Sequence, residues 1–299
     1  MRALVTGGAG FIGTNLVNRL ISEGHQVTVL DDLSAKSPGN SERRFRLVQG
    51  SVTYAYLVND LARDADIIFH LAVRTMALSI ADPRTDSRVS IEGTLNVLQA
   101  AQKFNIPVVY TSSSAIYGNG KPPFKESDPV DLLTPYAAAK FAAEGYCSAF
   151  RDVSVAIVRL SNVYGPYQSP MNPYCGVVAK FMDRARWKIP LAIFGNGEQT
   201  RDFTYVGDAV DAIMSAAQKG FGQVVNVGTG IETSVKRLTE MVGEMFGSNE
   251  IEYTDRRDID LIQRRMLDCS RAAQVLGWQA KTDLATGLEL TRQWVEAVA

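Results

Sequence analysis

The sequence predicts an α/β protein, a doubly wound parallel sheet with a smaller α/β part on its C-terminal side. Strand and helix patterns alternate through the first half, a glycine-rich turn joins the first strand to the first helix, and an acidic residue closes the second strand. With 299 residues and 46% hydrophobic composition, the chain can bury a large core in one or two domains, which excludes disorder.

The first strand is Arg2 to Thr6, where Ala3, Leu4 and Val5 form an apolar run. Gly7, Gly10 and Gly13 follow three apart, and Phe11, Ile12, Leu16, Val17 and Leu20 recur at helical spacing. Such a passage from strand to helix suits a dinucleotide pyrophosphate. Gly7 lets the chain turn, Gly10 lets backbone approach the phosphates, Gly13 lets the helix lie close, and the helix N-terminus offers unpaired N–H groups. A glycine pattern alone also fits an ordinary tight turn; here strand, turn, helix and acidic residue stand in order. The second strand, Gln26 to Leu30, leads to Asp31, placed to accept from the ribose hydroxyls. Its carboxylate repels a 2′-phosphate, Asp32 adds a second negative charge and no arginine stands beside them, so NAD is expected over NADP.

The alternation continues with strands at Phe45 to Val48, Asp66 to Leu71, Val108 to Ser112 and Val153 to Leu160, and helices from Tyr54, Asp86 and Pro135. Beyond Leu160 the texture changes. Gly165 to Pro173 is proline-rich and irregular, and short elements with arginines in loops follow, as in a substrate-binding part. A late strand, Gln223 to Val227, is expected to return to the main sheet. Two interleaved domains result: residues 1–162 with 203–228, and residues 163–202 with 229–299.

Lys plus Arg total 31 against 32 for Asp plus Glu, a balance that favours neither nucleic acid nor an anionic membrane as partner. Cys147, Cys175 and Cys269 are too far apart for a disulfide framework or a zinc site. No apolar run approaches the roughly 20 residues of a membrane span, and Met1-Arg2 leads directly into the first strand, so a cytoplasmic protein is expected.

Thr134-Pro135-Tyr136 opens a helix, with Thr134 as N-cap and Pro135 in its first turn. Tyr136 and Lys140 lie one turn apart on one face, where an ammonium beside a phenol would favour the phenolate. Tyr-x-x-x-Lys is common on solvated helices; its place after the hydroxyl-rich strand end Thr111-Ser112-Ser113-Ser114 points to chemistry.

These motifs together resemble the extended short-chain dehydrogenase/reductases, in the branch of nucleotide-sugar epimerases and dehydratases. The resemblance runs nearly end to end: Gly7 to Gly13, Leu30 to Leu33, Phe69-His70-Leu71-Ala72, Gly93-Thr94-Leu95-Asn96, Ser112 to Gly118, Tyr136 with Lys140, Arg159 to Pro166, and Phe194 to Phe203. It implies Ser113, Tyr136 and Lys140 as catalytic residues. It adds Ser51, Val52, Leu71, Ala72, Val73 and Thr111 to the cofactor contacts at Gly7, Gly10, Phe11, Ile12, Gly13, Asp31 and Asp32, which Tyr136 and Lys140 complete. Asn162 and Arg201 are then expected at a substrate diphosphate with Arg257, and Ala192 and Phe194 at uracil. Two positions depart from the family pattern: Ser51 stands where an acidic adenine contact is usual, and Ser90 where an asparagine is usual.

Dehydratases of this branch carry an acidic pair after the catalytic hydroxyl, and glucuronate decarboxylases a glutamate at its third position. Here Ser114 and Ala115 follow Ser113, so the resemblance implies reversible oxidation at one carbon: 4-epimerisation of a UDP-sugar, neutral or uronate, with bound NAD. Arg74 is a candidate for a C6 carboxylate. Decarboxylation of UDP-glucuronate, 4,6-dehydration and a non-catalytic NAD-binding sensor are the rival readings. A homodimer through the helices near 86–104 and 135–150 is implied by the resemblance.

Overall fold

The computed structural model describes residues 1–35, 37, 44–170, 176–248, 250–257 and 261–298. Six strands, β1 (Arg2–Thr6), β2 (Gln26–Asp31), β3 (Arg46–Gln49), β4 (Ile67–His70), β5 (Val108–Ser113) and β6 (Val155–Leu160), enter one sheet. The chain then makes β7 (Asn162–Tyr164), β8 (Leu191–Phe194), β9 (Thr200–Arg201) and β10 (Phe203–Tyr205), and returns to the sheet as β11 (Val224–Val227). The sheet order is β3-β2-β1-β4-β5-β6-β11, and every pairing is parallel. The predicted parallel sheet is thus present, including the late strand. Between β1 and β4 the winding reverses, which opens a crevice at the carboxyl ends of the strands.

Helices cover both faces, as an all-parallel sheet requires. On one side α1 (Phe11–Ser22) and α8 (Val206–Lys219) bury Leu16, Leu20 and Ile213, and the later helix α10 (Ser270–Leu276), with Trp278, packs against that same core. On the other, α2 (Ala55–Ala62), α5 (Gly93–Phe104) and α6 (Pro135–Ala149) bury Val58, Val97, Leu98 and Ala143. α6 starts as predicted: Thr134 Oγ1 accepts from Ala137 N at 3.1 Å, with Pro135 in the first turn. A third core lies under α7 (Val177–Arg186), α9 (Val235–Phe246) and α11 (Leu284–Ala297), with Phe181, Leu191, Leu238 and Leu288 at its centre. There β8 pairs in parallel with β13 (Ile251–Thr254), and β9 pairs antiparallel with β12 (Thr233–Ser234).

The helix expected from Asp86 is more complex. A short α3 (Met76–Ala81) comes first, then α4 (Pro83–Ser87), and a π turn at Arg88–Glu92 leads into α5. The Asp82 carboxylate caps α4 through Thr85 N at 3.1 Å. Its six residues make fewer than two turns, too short for a repeating apolar pattern to show in the sequence.

His70 pins the crevice. Its ring is fully enclosed, with Nδ1 2.7 Å from Thr6 Oγ1 and Nε2 3.0 Å from Thr94 Oγ1. Thr94 donates its single hydroxyl proton to Ser90 O at 2.6 Å, so towards His70 it accepts; Nε2 carries the proton and Nδ1 accepts from Thr6. Burial, aided by Lys140, drives the His70 pKa down to about 3.

A second buried group joins sheet to helix. Arg159 of β6 donates from Nε to Glu144 Oε1 at 3.0 Å and from Nη2 to Oε2 at 2.7 Å, and both side chains are buried. Arg159 Nη1 donates to the Tyr117 hydroxyl at 2.8 Å, which in turn donates to Asn226 Oδ1 at 2.7 Å.

Two outcomes are expected. Glu144→Gln leaves the Arg159 cation uncompensated, and urea unfolding should show a loss of about 3–5 kcal/mol, most of it recovered in the Glu144→Gln/Arg159→Met double variant. Because the unfolded state takes up the His70 proton below pH 6.5 and the folded state does not until about 3, stability should fall as pH falls through that window, by up to about 1.4 kcal/mol per pH unit. The slope between pH 6.5 and 5 should shrink by that amount in His70→Gln; an unchanged slope would show that another group is responsible.

Candidate active site

At the crevice lies a cavity of about 390 Å³. Its wall includes every residue expected to hold the cofactor: Gly7, Gly10, Phe11, Ile12, Gly13, Asp31, Asp32, Ser51, Val52, Leu71, Ala72, Val73, Thr111, Tyr136 and Lys140. The turn admits no side chains at two of its glycines. Gly7 has φ +71° and a Cβ there would come within 2.7 Å of Ala72 N, while a Cβ on Gly13 would meet Gly7 O at 2.1 Å. Gly10 is different: its Cβ would meet only Gly7 O, at 3.4 Å, so this backbone faces open space.

Asp31 is enclosed, and its carboxylate accepts from Ala9 N at 2.9 Å and Leu33 N at 2.8 Å. It therefore ties the glycine turn to the end of β2. Burial raises its pKa, and these backbone donors oppose the rise. Ser51 lines the same end and accepts from Thr53 N at 3.2 Å. An open glycine backbone, a carboxylate at the next strand end and the start of α1 together fit a dinucleotide.

Ser113, at the end of β5, stands at the other end of the wall and closes the following 3₁₀ turn, Ser114–Tyr117, by accepting from Ala115 N at 3.1 Å. Tyr136 and Lys140 of α6 face it. Burial raises the Tyr136 pKa; the Ser113 hydroxyl pulls it down, Asp86 pushes it up and the Arg265 cation pulls it down. Lys140 Nζ donates to Thr111 O at 2.7 Å and lies 4.8 Å from the Tyr110 ring centre, because a buried ammonium takes the nearest carbonyl acceptor. Burial lowers the Lys140 pKa to about 8. Arg265 is a further cation that favours the Tyr136 phenolate, and nothing in the sequence had singled it out.

Among the described residues, four buried atoms of the wall lack hydrogen-bond partners: Arg74 Nε, Ser112 Oγ, Asn162 Oδ1 and Gln168 Oε1. A polar ligand would satisfy them. Arg74 and Asn162 were expected; Ser112 and Gln168 sit within motifs whose other members drew attention. The remaining substrate residues lie outside this wall, in the smaller layer. Ala192 and Phe194 alternate with buried Leu191 and Ile193 along β8, and the Arg257 guanidinium lies 4.3 Å from the Phe194 ring centre. Arg201 Nη1 donates to Thr200 O at 2.7 Å.

Ser90 does not reach the cavity wall; its hydroxyl donates to Asp86 Oδ1 at 3.0 Å inside the π turn. Cys147 is packed in the core, where burial pushes its thiol up to about 12, and Cys175 lies outside the described residues. Among the described residues no cluster of His, Cys, Asp and Glu could hold a metal ion, and no helix is long and apolar enough to cross a membrane.

The NAD dependent epimerase/dehydratase family model matches residues 3–228. The UDP-glucose 4-epimerase of Mycolicibacterium smegmatis is 41% identical over 97% of each chain. Among solved structures, UDP-glucose 4-epimerase of Thermotoga maritima with UDP-glucose is 34% identical over 99% of each chain, with a TM-score of 0.96. The UDP-glucose 4-epimerase of Thermus thermophilus in complex with NAD is 30% identical over the whole of both chains, with a TM-score of 0.93. Glycine turn, strand-end carboxylate, hydroxyl-lined wall and full-length similarity agree: the chain belongs to the NAD-dependent epimerase/dehydratase family.

Proposed function

We propose that the protein interconverts UDP-sugars epimeric at C4, with Tyr136 as base, Ser113 as partner to the same substrate oxygen and Lys140 as the cation of the site. The observation that carries this reading is the pairing of Ser113 with Tyr136 in a cavity continuous with the dinucleotide turn, while the two residues after Ser113 are Ser114 and Ala115. Elimination of water across C5 and C6 needs a carboxyl acid and base there, and these positions supply neither.

Gly7 to Gly13 and Asp31 would hold NAD, which when bound would supply a hydride acceptor and donor. The chain's own groups do the rest. Tyr136 takes the proton of the C4 hydroxyl as that carbon is oxidised. Ser113 donates to the developing C4 oxygen and fixes its position. Arg265 makes the phenolate easier to form by opposing the cost of burial. Lys140, braced on Thr111 O, adds positive charge beneath the reacting groups. The 4-keto sugar presents its other face, and Tyr136 returns the proton. Ala192 and Phe194 would flank the uracil, and Arg201, Arg257 and Asn162 would hold the diphosphate with charge-assisted bonds. The family pattern also supports a homodimer built on α5 and α6, where Phe141 and Tyr146 stand exposed at 36% and 40%; light scattering should give twice the chain mass.

Incubation with UDP-sugars should give a product with C4 inverted and C6 retained, read by NMR. Tyr136→Phe should lower kcat by about 10²–10⁴-fold while UDP binding persists. Wild-type turnover in that variant would remove Tyr136 from the mechanism, and release of carbon dioxide by the wild-type enzyme would replace epimerisation with decarboxylation.

A further inference from the structure

Thr6 and His70 stand directly opposite each other in β1 and β4, the two strands between which the winding of the sheet reverses. Gly7 follows the first, and Leu71 and Ala72 follow the second, so the glycine turn and the facing wall of the cavity both begin at this pair. The two are already in close contact. A Cβ on Gly7 would meet Ala72 N at 2.7 Å, and Leu71 N donates to Thr6 O at 3.0 Å. A small shift of either strand end therefore changes the gap that a dinucleotide must enter.

The side chains between them donate in one direction. Ala72 N donates to Thr6 Oγ1 at 3.4 Å, Thr6 Oγ1 donates to His70 Nδ1 at 2.7 Å, His70 Nε2 donates to Thr94 Oγ1 at 3.0 Å, and Thr94 Oγ1 donates to Ser90 O at 2.6 Å. This chain starts on the cavity wall at Ala72 and ends in the π turn, whose Val89 lines the same wall. Its links are sealed, since Thr6, His70 and Thr94 are each 1% exposed or less. A buried chain in which every group both donates and accepts strengthens its own links. Only a neutral imidazole accepts at one nitrogen while it donates at the other.

We propose that His70, which does not itself line the cavity, is the positioning residue of the cofactor crevice: through Thr6 it fixes the glycine turn against Leu71 and Ala72 and so sets the affinity for the dinucleotide. This rests on the NAD-dependent reading and extends its site to a residue behind the wall. The ring is separable from the catalytic end. Thr111 Oγ1 reaches His70 through the backbone carbonyl, at 3.3 Å, and Lys140 is braced on Thr111 O, so replacement of the ring leaves both bonds their acceptors. Asn162, Phe194 and Arg201, expected at the sugar nucleotide, lie on β7, β8 and β9, which pair with β10, β13 and β12.

The test measures NAD and UDP affinities by calorimetry, with the melting temperature, for wild type, His70→Leu, Thr6→Val, the double variant and His70→Asn. His70→Leu and Thr6→Val should each weaken NAD binding on the order of 10-fold while UDP affinity stays at its wild-type value. Because both cut the same link, the double variant should lose no more than the worse of the two single variants. The side-chain oxygen of His70→Asn can replace Nδ1 as acceptor from Thr6, so this variant should recover most of the NAD affinity whatever its melting temperature. Equal losses of NAD and UDP affinity would make His70 a purely structural residue and overturn the proposal, as would unchanged NAD affinity in His70→Leu or additive losses in the double variant. If His70→Leu does not fold, Thr6→Val and His70→Asn decide: loss of NAD in the first with recovery in the second supports the proposal, and any other pattern overturns it. A wild-type protein that binds UDP and no NAD would overturn the cofactor site itself, a failure distinct from that of His70.

Discussion

The buried ion pair between Arg159 and Glu144 is the constraint on which the arrangement of the site depends. Arg159 belongs to β6 and Glu144 to α6, so the pair fixes the helix that carries Tyr136 and Lys140 against the sheet that carries Ser113. Its remaining nitrogen holds Tyr117 in the turn after Ser113 and, through Tyr117, reaches Asn226 of β11. Buried pairs of this kind add little net stability relative to a well-packed apolar pair. Their directional bonds do something else: they leave one register for helix on sheet, and proton transfer between positioned groups tolerates little displacement.

Charge is distributed unevenly along the cavity. The Asp31 carboxylate stands at one end, beside Asp32, and Lys140 and Arg74 stand towards the other. An elongated ligand that offers hydroxyl donors at one end and negative charge at the other matches this polarity. The same asymmetry serves the chemistry. Burial alone would hold the Tyr136 proton more tightly; the Ser113 hydroxyl and the Arg265 charge oppose that effect, and Asp86 adds to it.

The parts of this molecule legible in the sequence are those where local geometry demands a residue type. Only glycine fits at Gly7 and Gly13, where a Cβ would strike backbone, and a helix start needs a cap such as Thr134. Side chains whose role depends on distant segments were not legible. Arg264 and Arg265 are adjacent and identical, yet Arg264 pairs with Glu232 at the surface while Arg265 is enclosed beside Tyr136. Gln263 O accepts from Thr200 N at 2.9 Å and Leu267 N donates to Asp202 Oδ2 at 3.2 Å, contacts with distant segments that set how this stretch lies. Lys140 shows the same limit: spacing places it one turn from Tyr136, but its acceptor is a backbone carbonyl of β5, which no residue type announces. The π turn that removes Ser90 from the cavity wall is equally a product of packing, since Asp86 takes the Ser90 hydroxyl.

The late return of β11 bears on how the chain comes together on the ribosome. Five parallel pairings, from β3 across to β6, can close once residue 160 has emerged, but the outer edge of β6 is covered only by β11, whose residues 224–227 follow more than sixty positions later. Until then β6 presents unpaired backbone groups to its surroundings, the situation in which strands recruit the wrong neighbour. The Tyr117 hydroxyl meanwhile lacks the Asn226 oxygen that receives its proton. A nascent chain arrested before residue 224 would therefore bear every nucleotide-binding motif and still be sticky at its edge, a natural client for a ribosome-associated chaperone.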